Sequence, residues 1–86
     1  MKWTKIDQAT LCLATSYLTI RLTITSQESY RITVMDKILD KTSTSHVKAS
    51  SLDLAKKMAV KAAMTHVRNV TTQYEIAKSE LDPYLA

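Results

Sequence analysis

YLTIRLTIT, residues 17–25, alternates polar and apolar side chains at every step, and SYRITVMD, residues 29–36, repeats the pattern. Successive side chains of an extended chain point to opposite faces, so this period predicts two strands with one apolar face each. We expect an antiparallel hairpin across the polar segment between them. Its buried face would carry Leu18, Ile20, Leu22, Ile24, Tyr30, Ile32 and Val34.

The next long pattern has the period of a helix: LDLAKKMAVKAAMTHVR, residues 52–68. Ser50 or Ser51 is expected to cap it, with Asp53 favourable in the first turn. One alanine-rich face would pack on the sheet: Leu52, Ala55, Ala59, Ala62, His66, Val70 and Tyr74. The β-branched run Val70-Thr-Thr72 predicts a bend or stop there, with residues 73–81 as a second helical piece before Asp82-Pro83.

The flanking segments are less regular. Residues 1–16 permit a helical face through Ile6, Ala9 and Leu13, but the alternation of residues 10–15 favours an extended segment. Residues 36–40 predict a turn and residues 41–45 a polar loop. His46–Ala49 predicts a short third strand that leads into the helix.

These elements predict one α+β domain over residues 1–86. A small antiparallel sheet of about three strands would carry helix Ser51–Val70 across one face, with a C-terminal helical extension. A chain of this length buries about 60% of the surface that its unfolded form exposes, so the core is thin. The expected core is Leu18, Ile20, Leu22, Ile24, Ile32, Val34, Leu52, Ala55, Ala59, Ala62 and Val70.

Composition excludes several function classes. The chain has no glycine, which excludes the glycine-rich phosphate loops and predicts that the turns use Ser, Asp and Thr in longer loops. Its single cysteine, Cys12, has no internal disulfide partner and is interpreted as a half-buried strand thiol. No apolar run has the roughly 18 residues of a membrane helix, so we expect a soluble, cytoplasmic protein.

No catalytic, metal-binding or cofactor-binding constellation is visible. His46 and His66 have no metal-ligand spacing with Cys12, and His66 is interpreted as a packing residue beside the core. The carboxylates show no pairing typical of acid–base chemistry, and no serine lies in a nucleophile elbow. We therefore expect that the protein is not an enzyme and needs no cofactor.

The candidate partner-binding residues are cationic or aromatic. The net charge is +4. The helix carries a basic stripe, Lys56, Lys57, Lys61 and Arg68, that could neutralise about three or four phosphates. A solvated helix face is the alternative interpretation of the stripe. Tyr17, Arg21 and Arg31 are expected on the open face of the sheet, and Trp3 is interpreted as an edge packing residue. The full candidate set is Lys56, Lys57, Lys61, Arg68, Tyr17, Arg21 and Arg31.

The run Lys56-Lys57-Met-Ala59-Val-Lys-Ala62-Ala63 resembles the last helix of double-stranded RNA-binding domains, which carry a similar Lys-Lys-x-Ala-x-x-Ala-Ala spacing. The resemblance covers eight residues. It implies that the lysines contact phosphates.

The whole-chain plan also resembles small phage-encoded inhibitors, including some anti-CRISPR proteins, in its size, its strand-then-helix order and its lack of a reactive site. This resemblance of type implies a binding protein that inhibits a larger host nucleoprotein assembly by occluding its surface. Direct, weakly specific nucleic-acid binding through the helix stripe is the alternative. A protein or nucleoprotein partner, possible nucleic-acid contact and no membrane contact are expected. The oligomeric state stays open, including self-association through a sheet edge.

Overall fold

The computed structural model describes residues 2–85 as an α+β fold, a five-stranded antiparallel sheet with one long helix on one face. The strands β1 to β5 follow each other across the sheet in chain order, so each pairs with its sequence neighbours. The bounds are β1 Thr4–Lys5, β2 Thr10–Ala14, β3 Leu18–Ser26, β4 Ser29–Asp36, β5 Lys41–Lys48 and α1 Leu52–Leu81. A short 3-10 helix, Asp82–Leu85, ends the described chain.

The predicted hairpin is confirmed as β3 and β4. Ile20 pairs with Val34 and Leu22 pairs with Ile32, so the apolar side chains of both strands share the face that α1 covers. Leu22 and Ile32 are the largest fully buried side chains. Full burial of such a side chain stabilises the fold by about 1.5–3 kcal/mol, which makes this pair of strands the centre of the core.

The strand count differs from the prediction of about three. The N-terminal segment is extended, as favoured, but it forms two strands, and the third predicted strand, residues 46–49, is the end of an eight-residue strand. The missed part of β5 is polar because its side chains on the helix side, Ser43 and Ser45, lie at the edge of the area that α1 covers. A strand without a buried face has no alternation of apolar and polar residues by which the sequence could predict it.

The β3–β4 connection also differs from the longer loop expected of a chain without glycine. Ser26 pairs with Ser29, so only Gln27 and Glu28 make the turn. Glu28 adopts φ 58°, the left-handed conformation that glycine usually supplies. A side chain with a Cβ pays about 1–2 kcal/mol for this conformation, so the short turn is locally strained.

Helix α1 begins where expected and ends later than expected. Ser51 is the cap, and its hydroxyl oxygen accepts a hydrogen bond from the Leu54 amide at 3.2 Å. The predicted bend or stop at Val70–Thr72 is wrong, because the helix runs unbroken to Leu81. Extending a helix needs no new nucleus, and the modest propensity penalty of three β-branched residues is too small to end it.

The core is close to the predicted one, with shifts at its ends. Ala55, Ala59 and Ala63 are the buried positions of α1, and their small side chains let the helix lie close to β3 and β4. Ala63 was not in the predicted core, nor were Tyr30 and Ala49, which are also buried. Four predicted members are not fully buried: Leu18, Leu52, Ala62 and Val70 are partly buried. Ile24 is 42% exposed, since it lies near the turn, beyond the helix.

Candidate anion-binding surface

The basic stripe lies on the side of α1 that faces away from the sheet. Since Ala55, Ala59 and Ala63 contact the sheet, residues on the opposite side of the helix face solvent. Lys57, Lys61 and Arg68 are exposed there, at helical spacings of four and seven residues. The helix therefore presents these three cations along one line, as predicted.

Trp3 joins this stripe at its N-terminal end. The indole packs against the margin of the core and lines a shallow groove with Lys56, Lys57 and Lys61, which is floored by Val60 and Met64. Trp3 is therefore a packing residue, as expected, that also lies beside three lysines. Its position beside the lysines depends on the sheet topology, which places the N-terminal strand next to the helix. No local sequence motif predicts this position. We call Trp3, Lys56, Lys57 and Lys61 the Trp-Lys surface.

Among residues 2–85, the cations of the Trp-Lys surface have no carboxylate partner. The salt-bridge contact found in this range joins His66 to Asp36 and involves none of these lysines. Lys57 and Lys61 are exposed, and Lys56 is partly buried beside the indole. Unpaired ammonium groups around an aromatic plane can contact phosphate or carboxylate oxygens while the ring stacks on a base or an apolar side chain.

Arg68 lies further along the helix, at a second and more apolar groove. This groove runs between α1 and the strands β2 and β3, and its walls are Leu13, Leu18, Ile20, Val60, Met64 and Val67. Arg68 is the charged side chain at its rim. The groove thus separates Arg68 from the Trp-Lys surface by an apolar strip.

Tyr17, Arg21 and Arg31 lie elsewhere. Arg21 and Arg31 point away from α1, because their neighbours Ile20, Leu22 and Ile32 point toward it. Arg31 pairs with His46 of β5, and Arg21 pairs with Thr33. Tyr17 is exposed in the β2–β3 connection. The seven candidate residues therefore do not form one surface: the lysines and Arg68 lie on α1, Arg21 and Arg31 lie on the opposite side of the sheet, and Tyr17 lies in the β2–β3 connection.

The face of the sheet that points away from α1 is rich in threonine. Rows of threonine cross it from strand to strand, and Thr10 and Thr23 approach each other through their hydroxyl oxygens at 3.4 Å. Cys12 is partly buried on this face, opposite Arg21. The exposed cations on it are Arg21, Arg31 and Lys48.

His66 and Asp36 form a clasp between the helix and the sheet. The His66 Nε2 atom lies 2.8 Å from Asp36 Oδ2, and Asp36 Oδ1 accepts the amide hydrogens of Ile38 and Leu39. The hydrogen bond with His66 is the main cause that lowers the pKa of the Asp36 carboxyl, with help from the Leu39 amide. His66 is therefore a packing residue, as predicted. It also has a carboxylate partner, Asp36, that no local sequence pattern indicates.

Nothing in this clasp resembles a complete catalytic site. Ser43 and Ser45 line a pocket with His66, yet no hydrogen bond joins either hydroxyl to the imidazole within residues 2–85. No group of three or more metal-ligating side chains occurs in the same range. The amide donors on Asp36 hold the β4–β5 turn, so the carboxylate already has a structural role.

Comparisons with known proteins do not identify a family for this chain. No protein-family model matches the chain, and neither a curated protein nor a solved structure matches it. No helix in the described part of the chain is long and apolar enough to cross a membrane.

Proposed function

We propose that the protein is a small non-enzymatic binding protein that docks on a larger nucleoprotein assembly and inhibits it by covering its surface. The Trp-Lys surface carries the proposal. It combines three lysines that have no carboxylate partner among residues 2–85 with an indole in one groove, so the ammonium groups can contact phosphates while the ring stacks on a base or packs on an apolar side chain.

The scale of the surface favours docking over chemistry. Four cations on α1, the three lysines and Arg68, could neutralise about three or four phosphates, which alone gives only weak and salt-sensitive binding. Added protein contacts would be needed for a tight complex. A nucleoprotein offers both phosphates and protein surface, and the resemblance to small phage-encoded inhibitors supports such a target.

The test is an affinity pull-down of tagged protein from bacterial lysate, with and without nuclease, read by mass spectrometry. We expect a stoichiometric protein complex that survives nuclease treatment. The Lys57→Glu/Lys61→Glu variant should lose this complex. A Lys37→Glu/Lys41→Glu variant is the matched control, because it makes the same change in net charge at the β4–β5 turn. Recovery of no protein by the wild type would contradict the proposal.

Direct nucleic-acid binding is the second candidate, and the position of Trp3 is the observation that favours it. An aromatic ring beside phosphate-binding lysines is the device by which single-stranded nucleic acids are bound without sequence preference. The measurement is fluorescence anisotropy of labelled single- and double-stranded oligonucleotides over a range of salt concentrations. A steep loss of affinity with salt, and a further loss in Trp3→Ala, would support this candidate over the first.

A further inference from the structure

The second half of helix α1 leaves the sheet. Ala63 is the last buried helical residue and Val70 the last partly buried one, so residues 71–85 are exposed throughout. We call them the helical arm. Its large apolar side chains are in water: Tyr74, Ile76, Leu81, Tyr84 and Leu85, the last two at 85% and 88% exposure. An apolar arm of this kind marks an interaction surface.

Three of these side chains, Tyr74, Leu81 and Tyr84, continue a heptad pattern that starts on the body of the protein. From Val60 onward, apolar residues recur at alternating spacings of three and four. Such a repeat makes one stripe along a helix and is the signature of helix-on-helix pairing. We call this stripe the seam; it consists of Val60, Ala63, Val67, Val70, Tyr74, Ala77, Leu81 and Tyr84.

We propose that a second copy of this chain occupies the seam, with the two α1 helices antiparallel and Tyr74 of each chain packed on the partner's Ala77. Val70 then faces the partner's Leu81, and Val67 faces the partner's Tyr84. The contact is isologous, which means that both chains use the same residues, so one dimer covers the apolar side chains of both arms. The proposal concerns assembly and does not depend on the proposed function.

Side-chain size favours the antiparallel direction. In a parallel pair each seam residue meets its own copy, so Tyr74 would crowd Tyr74 and Ala77 would leave a gap at Ala77. In the antiparallel pair the large ring lies opposite the small methyl group in both central layers. Alternation of large and small residues across facing positions is what fills such an interface evenly.

Charge favours the same direction. Residues 52–70 carry four basic side chains and one acidic one, whereas residues 71–85 carry three acidic side chains and one basic one. In the proposed register residues 66–85 of one chain lie along residues 66–85 of the other, so the acidic end of each arm lies beside the part of the partner that carries Arg68, whereas parallel pairing sets the acidic residues of one arm beside those of the other. In the proposed register Asp82 of one chain lies about level with the partner's Arg68.

The apolar groove between α1 and β2 could bind Tyr84 and Leu85 of the partner's helical arm. Val67 belongs both to the seam and to the walls of this groove, so the end of a helix that packs on the seam reaches the groove. The register that joins Tyr74 to Ala77 brings the partner's Tyr84 and Leu85 to the level of Val67, at the groove's mouth. Tyr84 and Leu85, the most exposed large apolar residues described, would thereby contact the apolar groove between α1 and β2.

The contact is small, since it involves only residues 66–85 of each chain, and small interfaces are typical of weak, reversible complexes. We therefore expect a dimer that forms at micromolar or higher concentration and dissociates on dilution.

Sedimentation equilibrium over a range of concentrations tests the contact. The wild-type mass should rise from 9.7 kDa toward twice that value. Tyr74→Glu should weaken the dimer by roughly a hundredfold or more, because both chains lose a seam residue. Ile76→Glu is the matched control, since Ile76 is 54% exposed against 58% for Tyr74 and lies outside the seam. A mass of 9.7 kDa at every concentration, or equal weakening by both variants, would overturn the proposal.

Cysteine cross-linking tests direction and register in a Cys12→Ser background. Val70→Cys and Leu81→Cys chains should form a mixed disulfide when combined, and each should fail to cross-link alone, because residues 70 and 81 are about 16 Å apart along one helix. Self-cross-linking of Val70→Cys would show a parallel pair and contradict the antiparallel arrangement. Both variants lie outside the fully buried core, so folding is not at risk.

Discussion

Replacing Ala59 by Asp tests the packing of α1 on the sheet. Ala59 is fully buried, midway between Ala55 and Ala63 on the line that contacts β3 and β4. Among the residues described, no cation lies at this contact, so the new carboxylate would be unpaired. The substitution therefore adds volume and charge where the helix and the sheet lie closest.

The cost can be worked out from two effects. Keeping the carboxyl neutral at pH 7 means raising its pKa from about 3.9 to above 7, which costs about 4 kcal/mol. Overpacking adds about 1–3 kcal/mol. The sum, about 5–7 kcal/mol, compares with a total stability of about 4–13 kcal/mol for a chain of this length. We expect the variant to be largely unfolded at 25 °C.

Urea denaturation followed by circular dichroism measures this, with Ala77→Asp as the control. Ala77 lies on the same helix, is exposed, and undergoes the same change in helix propensity; since it also lies in the seam, both variants are measured at a concentration low enough to keep the chain monomeric. Since the buried carboxyl has a raised pKa in the folded state, acidification toward pH 4 should recover part of the stability of Ala59→Asp relative to Ala77→Asp. Equal midpoints for the two variants at pH 7 would refute the packing described for α1.

Three further predictions concern the sheet and its turns. Leu22→Ala should cost about 2–5 kcal/mol of unfolding free energy, against less than about 1 kcal/mol for the exposed Leu81→Ala in dilute solution, measured by urea titration. Glu28→Gly should stabilise the fold by about 0.5–1 kcal/mol, because it removes a left-handed residue with a Cβ; a loss of stability would contradict the short turn. Asp36 has a lowered pKa, so its contribution is present above about pH 4 and lost as pH falls through the lowered value; Asp36→Asn should therefore show a smaller loss of stability between pH 6 and pH 3 than the wild type, in thermal melts at each pH.

Apolar periodicity explains which parts of the fold could be predicted from the sequence. Strands β3 and β4 and the start of α1 each bury one face, so their apolar residues recur at the spacing of the element. β5 buries almost nothing, and β1 is two residues long, so neither leaves a periodic signal. The β-branched residues Val70–Thr72 do not end α1, because adding residues to an existing helix costs little and their weaker helix propensity is too small to stop it.

The candidate surface was predictable only in part. The lysines and Arg68 of the stripe are close in sequence, so helical spacing alone places them together. Trp3 is more than fifty residues away from Lys56, and only the pairing of β1 with β2 brings it beside the helix. Likewise the clasp between Asp36 and His66 joins positions 30 residues apart. Contacts of this kind depend on tertiary structure and leave no local pattern.

The proposed function depends on binding of a partner at the Trp-Lys surface. We would test this first with the nuclease-treated pull-down, repeated with Lys57→Glu/Lys61→Glu and with its charge-matched control, Lys37→Glu/Lys41→Glu. The captured complex should be lost with the first variant and retained with the second. Equal loss would show that total charge decides binding, and equal retention would show that Lys57 and Lys61 do not contribute to it; either result would contradict binding at this surface.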